Sequence, residues 1–258
     1  MKKHIPNLIT LLNLFCGCIA VVFAASDELI IAAFFVFLGI FFDFFDGLAA
    51  RKLKVQSELG LQLDSLADMV TSGLVPGLVM FQLLSSVEGV VGLSIVNSVG
   101  EFTQWRGFKV GLLPFIGFLI TLASAYRLAN FNIDERQTTS FIGLPTPANA
   151  LLVLSLPLIL EFQSNDLFRD IILNKWFLIG MTLLSSFLLN ANLPLFALKF
   201  KTWGFKENAI RYIFLIACVL LLALLQFVAI PLIILLYVLM SLFDKTSNTQ
   251  HPIPKNGL

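Results

Sequence analysis

Charge is scarce in this chain: Asp, Glu, Lys and Arg together supply 13% of its 258 residues. A soluble globular domain carries about a quarter, so a fold wetted on all sides is excluded. Cysteine is almost missing. The three present, Cys16, Cys18 and Cys218, lie in apolar stretches without the paired spacing of a zinc site or a disulfide framework, and read as small buried hydrophobes. A surplus of positive charge is missing too. The net charge is +1 and no basic patch stands out, so no nucleic-acid partner is expected. Internal repeats and low-complexity segments are also absent from the sequence.

What fills the chain instead is apolar length. Hydrophobic residues make up 58% of it, with 26 phenylalanines, and the mean hydropathy is +0.90. About 20 apolar residues cross about 30 Å of hydrocarbon as a helix, and an open sheet could not satisfy its backbone there. The expected fold is all-α: a polytopic transmembrane helical bundle of about eight spans, near 5–25, 29–52, 61–84, 111–130, 146–162, 176–191, 209–226 and 229–243. Residues 1–191 are expected to form a six-helix catalytic core, 192–243 a C-terminal hairpin and 244–258 a flexible polar tail. The hairpin follows because the apolar run from Ala209 to Phe243 is too long for one crossing, and Pro231 can break it. The first span imitates a secretory signal, but Asn7, Thr10 and Asn13 put a polar stripe through it, so it is read as retained. With both ends inside, 13 of the 17 Lys and Arg residues fall in inner segments. The outer loops keep Arg106, Lys109, Arg169 and Lys175. The positive-inside rule then puts both termini and the acidic cluster in the cytoplasm, on an inner or plasma membrane.

The scarce acids are not scattered. Asp43 and Asp46, three residues apart, share one helix face, and Asp64 and Asp68, four apart, share a face of the next helix. Acids at membrane depth are costly and mark functional sites, and four facing one another repel unless cations neutralise them. Hard oxygen ligands suit Mg²⁺, Mn²⁺ or Ca²⁺ rather than zinc. Four carboxylates can hold two such ions about 4 Å apart, the arrangement that clamps a phosphoryl group during in-line displacement. Gly47, Ala50 and Gly60 are small enough to let a pyrophosphate or a base approach the backbone. Arg51 can hold phosphate or, by residue type alone, snorkel to lipid head groups. A divalent-cation transporter would also use intramembrane acids, but here all four sit in one helix pair with no echo in a second half.

Read together, Asp43-x2-Asp46-Gly47-x2-Ala50-Arg51-x8-Gly60-x3-Asp64-x3-Asp68 resembles the full signature of the CDP-alcohol phosphatidyltransferases, without departure. The resemblance implies that a CDP-linked membrane lipid donates its phosphatidyl group to a small alcohol and CMP leaves. It implies that Asp43, Asp46, Asp64 and Asp68 ligate a two-metal centre, with Mg²⁺, Mn²⁺ or Ca²⁺ as the candidate ions, and that Asp68 is the general base. Gly47, Ala50 and Gly60 would line the cytidine nucleotide site with support from Arg51, and the enzyme would be a homodimer. The chemistry agrees with these roles: an alcohol is a poor nucleophile until a carboxylate takes its proton, and cations offset charge on phosphoryl oxygens.

Three further segments are similar to the membrane-embedded phosphatidylserine synthases. In Pro6-Asn7-x2-Thr10-x2-Asn13-x3-Gly17 the polar residues fall on one helix face. Asn7 and Thr10 are assigned to the CDP-lipid, although such a stripe can equally hydrogen-bond between helices. In Ser124-Ala-Tyr-Arg-Leu-Ala-Asn-Phe-Asn132, Arg127 has the fork geometry for an amino-acid carboxylate, and Asn130 and Asn132 can accept from its ammonium. By type alone Arg127 could instead mark the membrane boundary. The third segment is Phe141-Ile-Gly-Leu-Pro-Thr-Pro-Ala-Asn149, where Gly143, Pro145 and Pro147 also suit a turn and helix start. The expected reaction is transfer from CDP-diacylglycerol to L-serine, giving phosphatidylserine and CMP. Glycerol 3-phosphate or inositol phosphate is the alternative acceptor. Arg136, offset by Asp134 and Glu135 in the inner loop, favours serine over these more anionic molecules.

Overall fold

Prolines and polar caps divide the apolar chain into helices. The computed structural model describes residues 4–89, 111–133, 141–163, 165–195 and 205–243. Helix α1 (Ile5–Ala25) has proline in its first turn, where a missing N–H costs nothing. It turns at Asp27, φ 64°, into α2 (Leu29–Leu53). With 25 residues, α2 is about 37 Å long at 1.5 Å per residue, enough to cross hydrocarbon and reach the head groups. Lys54 caps it in the left-handed conformation, φ 55°. Ser57 then accepts from the Gly60 N–H at 3.1 Å and opens α3 (Glu58–Asp68). This short turn brings the two acid pairs to one end of the molecule.

Helix α3 does not stop at Asp68. It passes through a π-helical turn, Met69–Leu74, into α4 (Val75–Val87). Pro76 supplies the reason: it has no N–H for the Ser72 carbonyl one turn back, and its ring would collide with that oxygen in a regular helix. The widened turn relieves the collision. The continuous rod Glu58–Val87 is the centre of the bundle, 78% buried over its apolar window, against 33% for α1 and 11% for Asn208–Leu242.

A 3-10 turn (Leu113–Phe118) leads into α5 (Leu119–Ile133), followed by α6 (Thr146–Phe162). Helices α7 (Asp166–Ile172) and α8 (Lys175–Asn190) meet at a 62° bend. Helix α9 (Phe205–Leu225), kinked at Asn208, and α10 (Ala229–Phe243) complete the described chain. Val36, Val79, Phe81, Leu84, Ile120 and Leu154 anchor the main core. A second cluster, Leu144, Leu152, Leu188, Leu195, Ile234 and Val238, holds α10 against α6.

The chain is thus an integral membrane protein built as a polytopic helical bundle. Each of the eight expected apolar stretches coincides with helix. By length and composition, five helical stretches can cross a membrane, or six if the bent α7–α8 pair makes one crossing; α6 is shorter, at 17 residues. The stretch Asn208–Leu242 qualifies as one of the five, yet the Phe214 and Tyr237 rings lie 5.6 Å apart. Its two helices therefore fold back on each other, as expected.

The break falls at Gln226–Val228, not at Pro231. Gln226 takes φ 47°, and Gln163 clamps the turn, donating to the Leu225 carbonyl at 3.0 Å and accepting from the Val228 N–H at 3.1 Å. Pro231 sits harmlessly in the first turn of α10. Helix α7 was not expected, nor was the antiparallel pair β1 (Phe141–Ile142) and β2 (Pro194–Leu195). The pair docks the segment after β1 onto the end of α8, where the Leu144 N–H donates to the Leu188 carbonyl at 2.8 Å. The tail 244–258, the loop with Asp134, Glu135 and Arg136, and most of 85–109 lie outside the described residues.

Candidate active site

Helical spacing sets each acid pair on a face, and the α2–α3 turn makes the faces meet. Carboxylate oxygens of Asp43, Asp46 and Asp64 lie within 4.8 Å of one another, with Asp43 and Asp64 in hydrogen-bonding contact. Asp68, one turn beyond Asp64, is 8% exposed and interacts electrostatically with the other three. Carboxylates at such separations need a shared proton or a cation between them. An all-oxygen donor set of this charge fits hard divalent ions, so the residues present fit a metal centre.

Helix α1 holds the acids in place. Thr10 donates to Asp46 Oδ2 at 2.5 Å, and Asn13 Nδ2 donates to Asp68 Oδ1 at 3.2 Å. Three residues apart, they share one face of α1, so the stripe read from the sequence does hydrogen-bond between helices, and its acceptors are the site acids. Small residues permit the approach. A methyl on Gly39 would lie 2.7 Å from Thr71 Cγ2 and 2.8 Å from Asn13 Oδ1, and one on Gly17 would lie 2.5 Å from Thr71 Oγ1. Only glycine at these two positions lets α1, α2 and the π turn touch.

The remaining sequence-derived residues fall into two groups. Gly47, Ala50, Arg51, Gly60 and Asn7 lie nearer the α2–α3 turn than the carboxylates do. Among the described residues a methyl on Gly47 would meet only Arg51, whose Nε donates to the Gly47 carbonyl at 3.0 Å. A methyl on Gly60 would lie 3.4 Å from Asn7 Oδ1, so these two are neighbours. On the other side, Arg127 of α5 is 8% exposed and faces both Asp68 and Tyr237. Asn130 follows it one turn on and is half-buried. Asn132 is already engaged: it accepts from Ser65 at 3.1 Å and donates to Gln62 at 3.4 Å, latching α5 to α3.

Sequence reasoning missed Tyr237, which α10 brings to Arg127. The available signal was a tyrosine and Ser241 one turn apart in an otherwise apolar helix. It also left Asn13 out of the site, although Asn13 stands in the same polar stripe as Thr10.

A membrane-crossing bundle that gathers four carboxylates and a buried arginine at one end can hold cations there, and the family match below gives that site its chemistry. That is the class: a membrane-embedded transferase. A family model described as CDP-alcohol phosphatidyltransferase matches residues 3–187, and the chain belongs to this family, as an enzyme of phospholipid biosynthesis. Among its relatives is a protein of Bacillus subtilis (strain 168) named CDP-diacylglycerol–serine O-phosphatidyltransferase, 34% identical over 64% of this chain and 79% of the relative. Proteins of the same name from Helicobacter pylori (strain 26695) and Methanocaldococcus jannaschii are each 29% identical. The first match covers 81% of this chain and 79% of the relative, the second 58% of each. The family match ends inside α8, before α9 and α10.

Proposed function

We propose that the protein transfers the phosphatidyl group of CDP-diacylglycerol to L-serine, releasing CMP and forming phosphatidylserine. The observation that carries this reading is Arg127, a buried guanidinium beside Asp68. A carboxylate-bearing alcohol bound to Arg127 would present its hydroxyl to Asp68. The names of the relatives support the same acceptor.

In this reading the serine hydroxyl oxygen attacks the phosphorus that carries diacylglycerol, and the bond from that phosphorus to the bridging pyrophosphate oxygen breaks. CMP leaves with that oxygen, while Asp68 takes the hydroxyl proton. Asn13 keeps Asp68 turned toward the acceptor, and Thr10 fixes Asp46. Asp43, Asp46, Asp64 and Asp68 would hold two divalent ions, Mg²⁺ or Mn²⁺. When bound, such ions offset the charge on the phosphoryl oxygens and the leaving CMP. Gly47, Ala50 and Gly60 leave room for the CDP moiety, with Arg51, Asn7 and Thr10 on its polar side. Asn130 and Asn132 receive the serine ammonium, Asn132 by exchanging its hold on Ser65. The proposal includes a homodimer in an inner or plasma membrane, with both termini and the site cytoplasmic. Residues 1–191 carry the chemistry, and 192–243 add the hairpin.

Release of labelled CMP from CDP-diacylglycerol in membranes tests this. Serine with Mg²⁺ or Mn²⁺ supports release, while glycerol 3-phosphate and inositol phosphate do not. Release with glycerol 3-phosphate and none with serine overturns the acceptor; release that survives a chelator overturns the metal centre. Arg127→Ala raises the serine KM about tenfold or more and leaves the CDP-diacylglycerol KM little changed, as expected for a lost charge-assisted contact. Matched rises in both KM values would argue against the assignment.

A further inference from the structure

Buried hydroxyls in this bundle donate either across to another helix, as Thr71 does to the Asn13 carbonyl, or back to their own. Ser85 donates to the Phe81 carbonyl at 2.8 Å, Ser155 to Leu152 at 2.6 Å, Thr182 to Leu178 at 2.8 Å and Ser241 to Tyr237 at 2.7 Å. This is how an apolar helix usually accommodates a serine. Ser72 and Ser124 are different. Both are 0% exposed, and neither hydroxyl has a hydrogen-bond partner among the described residues.

Their positions connect them. Ser72 lies four residues beyond Asp68, inside the π turn that Pro76 imposes. Ser124 lies three residues before Arg127 on α5, on the same helix face. The two segments touch: a methyl on Gly73 would lie 3.1 Å from Ser124 Cβ. Arg127 Nε is itself buried without a partner among the described residues. Three polar groups without a partner among the described residues, each more than nine-tenths buried, thus lie on two touching segments, on the far side of Asp68 from the α2–α3 turn. A buried hydroxyl without a partner lowers stability.

We propose that Ser72 and Ser124 are acceptor-recognition residues, which with Arg127 hydrogen-bond a small zwitterionic alcohol when it binds. This rests on the serine reading above. Arg127 takes the acceptor carboxylate. The two hydroxyls, each one donor and two acceptors, complete the hydrogen bonds of carboxylate and ammonium and leave the reacting hydroxyl toward Asp68. Larger or more anionic acceptors meet two neutral hydroxyls where they need a second cation, which makes this pair a source of selectivity.

The test compares the full-length parent with Ser72→Ala, Ser124→Ala and the double variant, in detergent and in membranes. Each single change raises the serine KM about five- to tenfold, the double change more, with the CDP-diacylglycerol KM unchanged. A second measurement does not depend on turnover. Without serine, the double variant melts no lower than the parent, because alanine removes an unpartnered polar group. With serine and no CDP-lipid, it loses the upward shift in melting temperature that the parent shows. An unchanged serine KM, equal rises in both KM values, or a serine-induced shift as large as the parent's overturns the proposal; if the double variant does not fold, the single variants decide it. A parent that releases CMP with another alcohol but not with serine refutes the proposed function instead, before any variant is compared.

Discussion

Where α1 turns into α2, Asp27 and Glu28 line a cavity of about 500 Å³ together with Glu161 of α6. At the α2–α3 end, Asp43, Asp46, Asp64 and Asp68 converge within one helix pair. Both ends therefore gather acids, but the ends differ in what surrounds them. Asp27, Glu28 and Glu161 are exposed, and two of them belong to a turn. The second set projects from regular helix faces, and its two buried members are met by donors from another helix, Thr10 on Asp46 and Asn13 on Asp68. Water can solvate the first group one side chain at a time. The second group has too little water for that, so its charge has to be answered by neighbouring side chains and cations. Acidity alone does not make a site; enforced proximity with converging donors does.

Substitutions can break this contrast. Asp68→Asn removes the proposed base and lowers turnover by about a thousandfold, while CDP-lipid binding persists. The matched changes Asp27→Asn and Glu161→Gln alter CMP release by less than about twofold, as surface charges in water do. Comparable losses at both ends would end the distinction. Backbone approach gives the next largest effect. Gly39→Ala forces α2 away from Asn13 and Thr71 and costs about 1–3 kcal/mol in stability, read as a fall in melting temperature with loss of activity. Gly180→Ala, with nothing among the described residues within 4 Å of the added carbon, leaves stability equal or slightly higher. Asn13→Ala is milder. It leaves the fold intact and lowers kcat about tenfold, because Asp68 loses its donor; a loss confined to stability would show Asn13 to be only a packing residue.

The site acids were legible in the primary structure because offsets of three and four residues are properties of any helix. The same rule made Thr10 and Asn13 a shared face. It could not say which carboxylates that face would meet. Asn132 shows the limit from the other side: its place near Arg127 suggested an acceptor contact, but no spacing announced that it also latches α5 to α3 through Ser65 and Gln62. The hairpin was visible as excess apolar length, but its turn lies at Gln226–Val228, where Gln163 from another helix stabilises it. Pro231 looked like the breaker only when long-range partners were left out.

Membrane residence, helical class and the pairing of four acids thus follow from apolar run length and residue spacing, which act within a few turns of one segment. The partners of those acids, the isolation of the Ser72 and Ser124 hydroxyls and the reach of Tyr237 to Arg127 depend on which helices can approach closely. That depends on the absence of side chains at Gly17 and Gly39, on the π turn ahead of Pro76, and on the packing of α10 against α6. Contacts between segments far apart in sequence are set by such steric fits, which no local periodicity encodes.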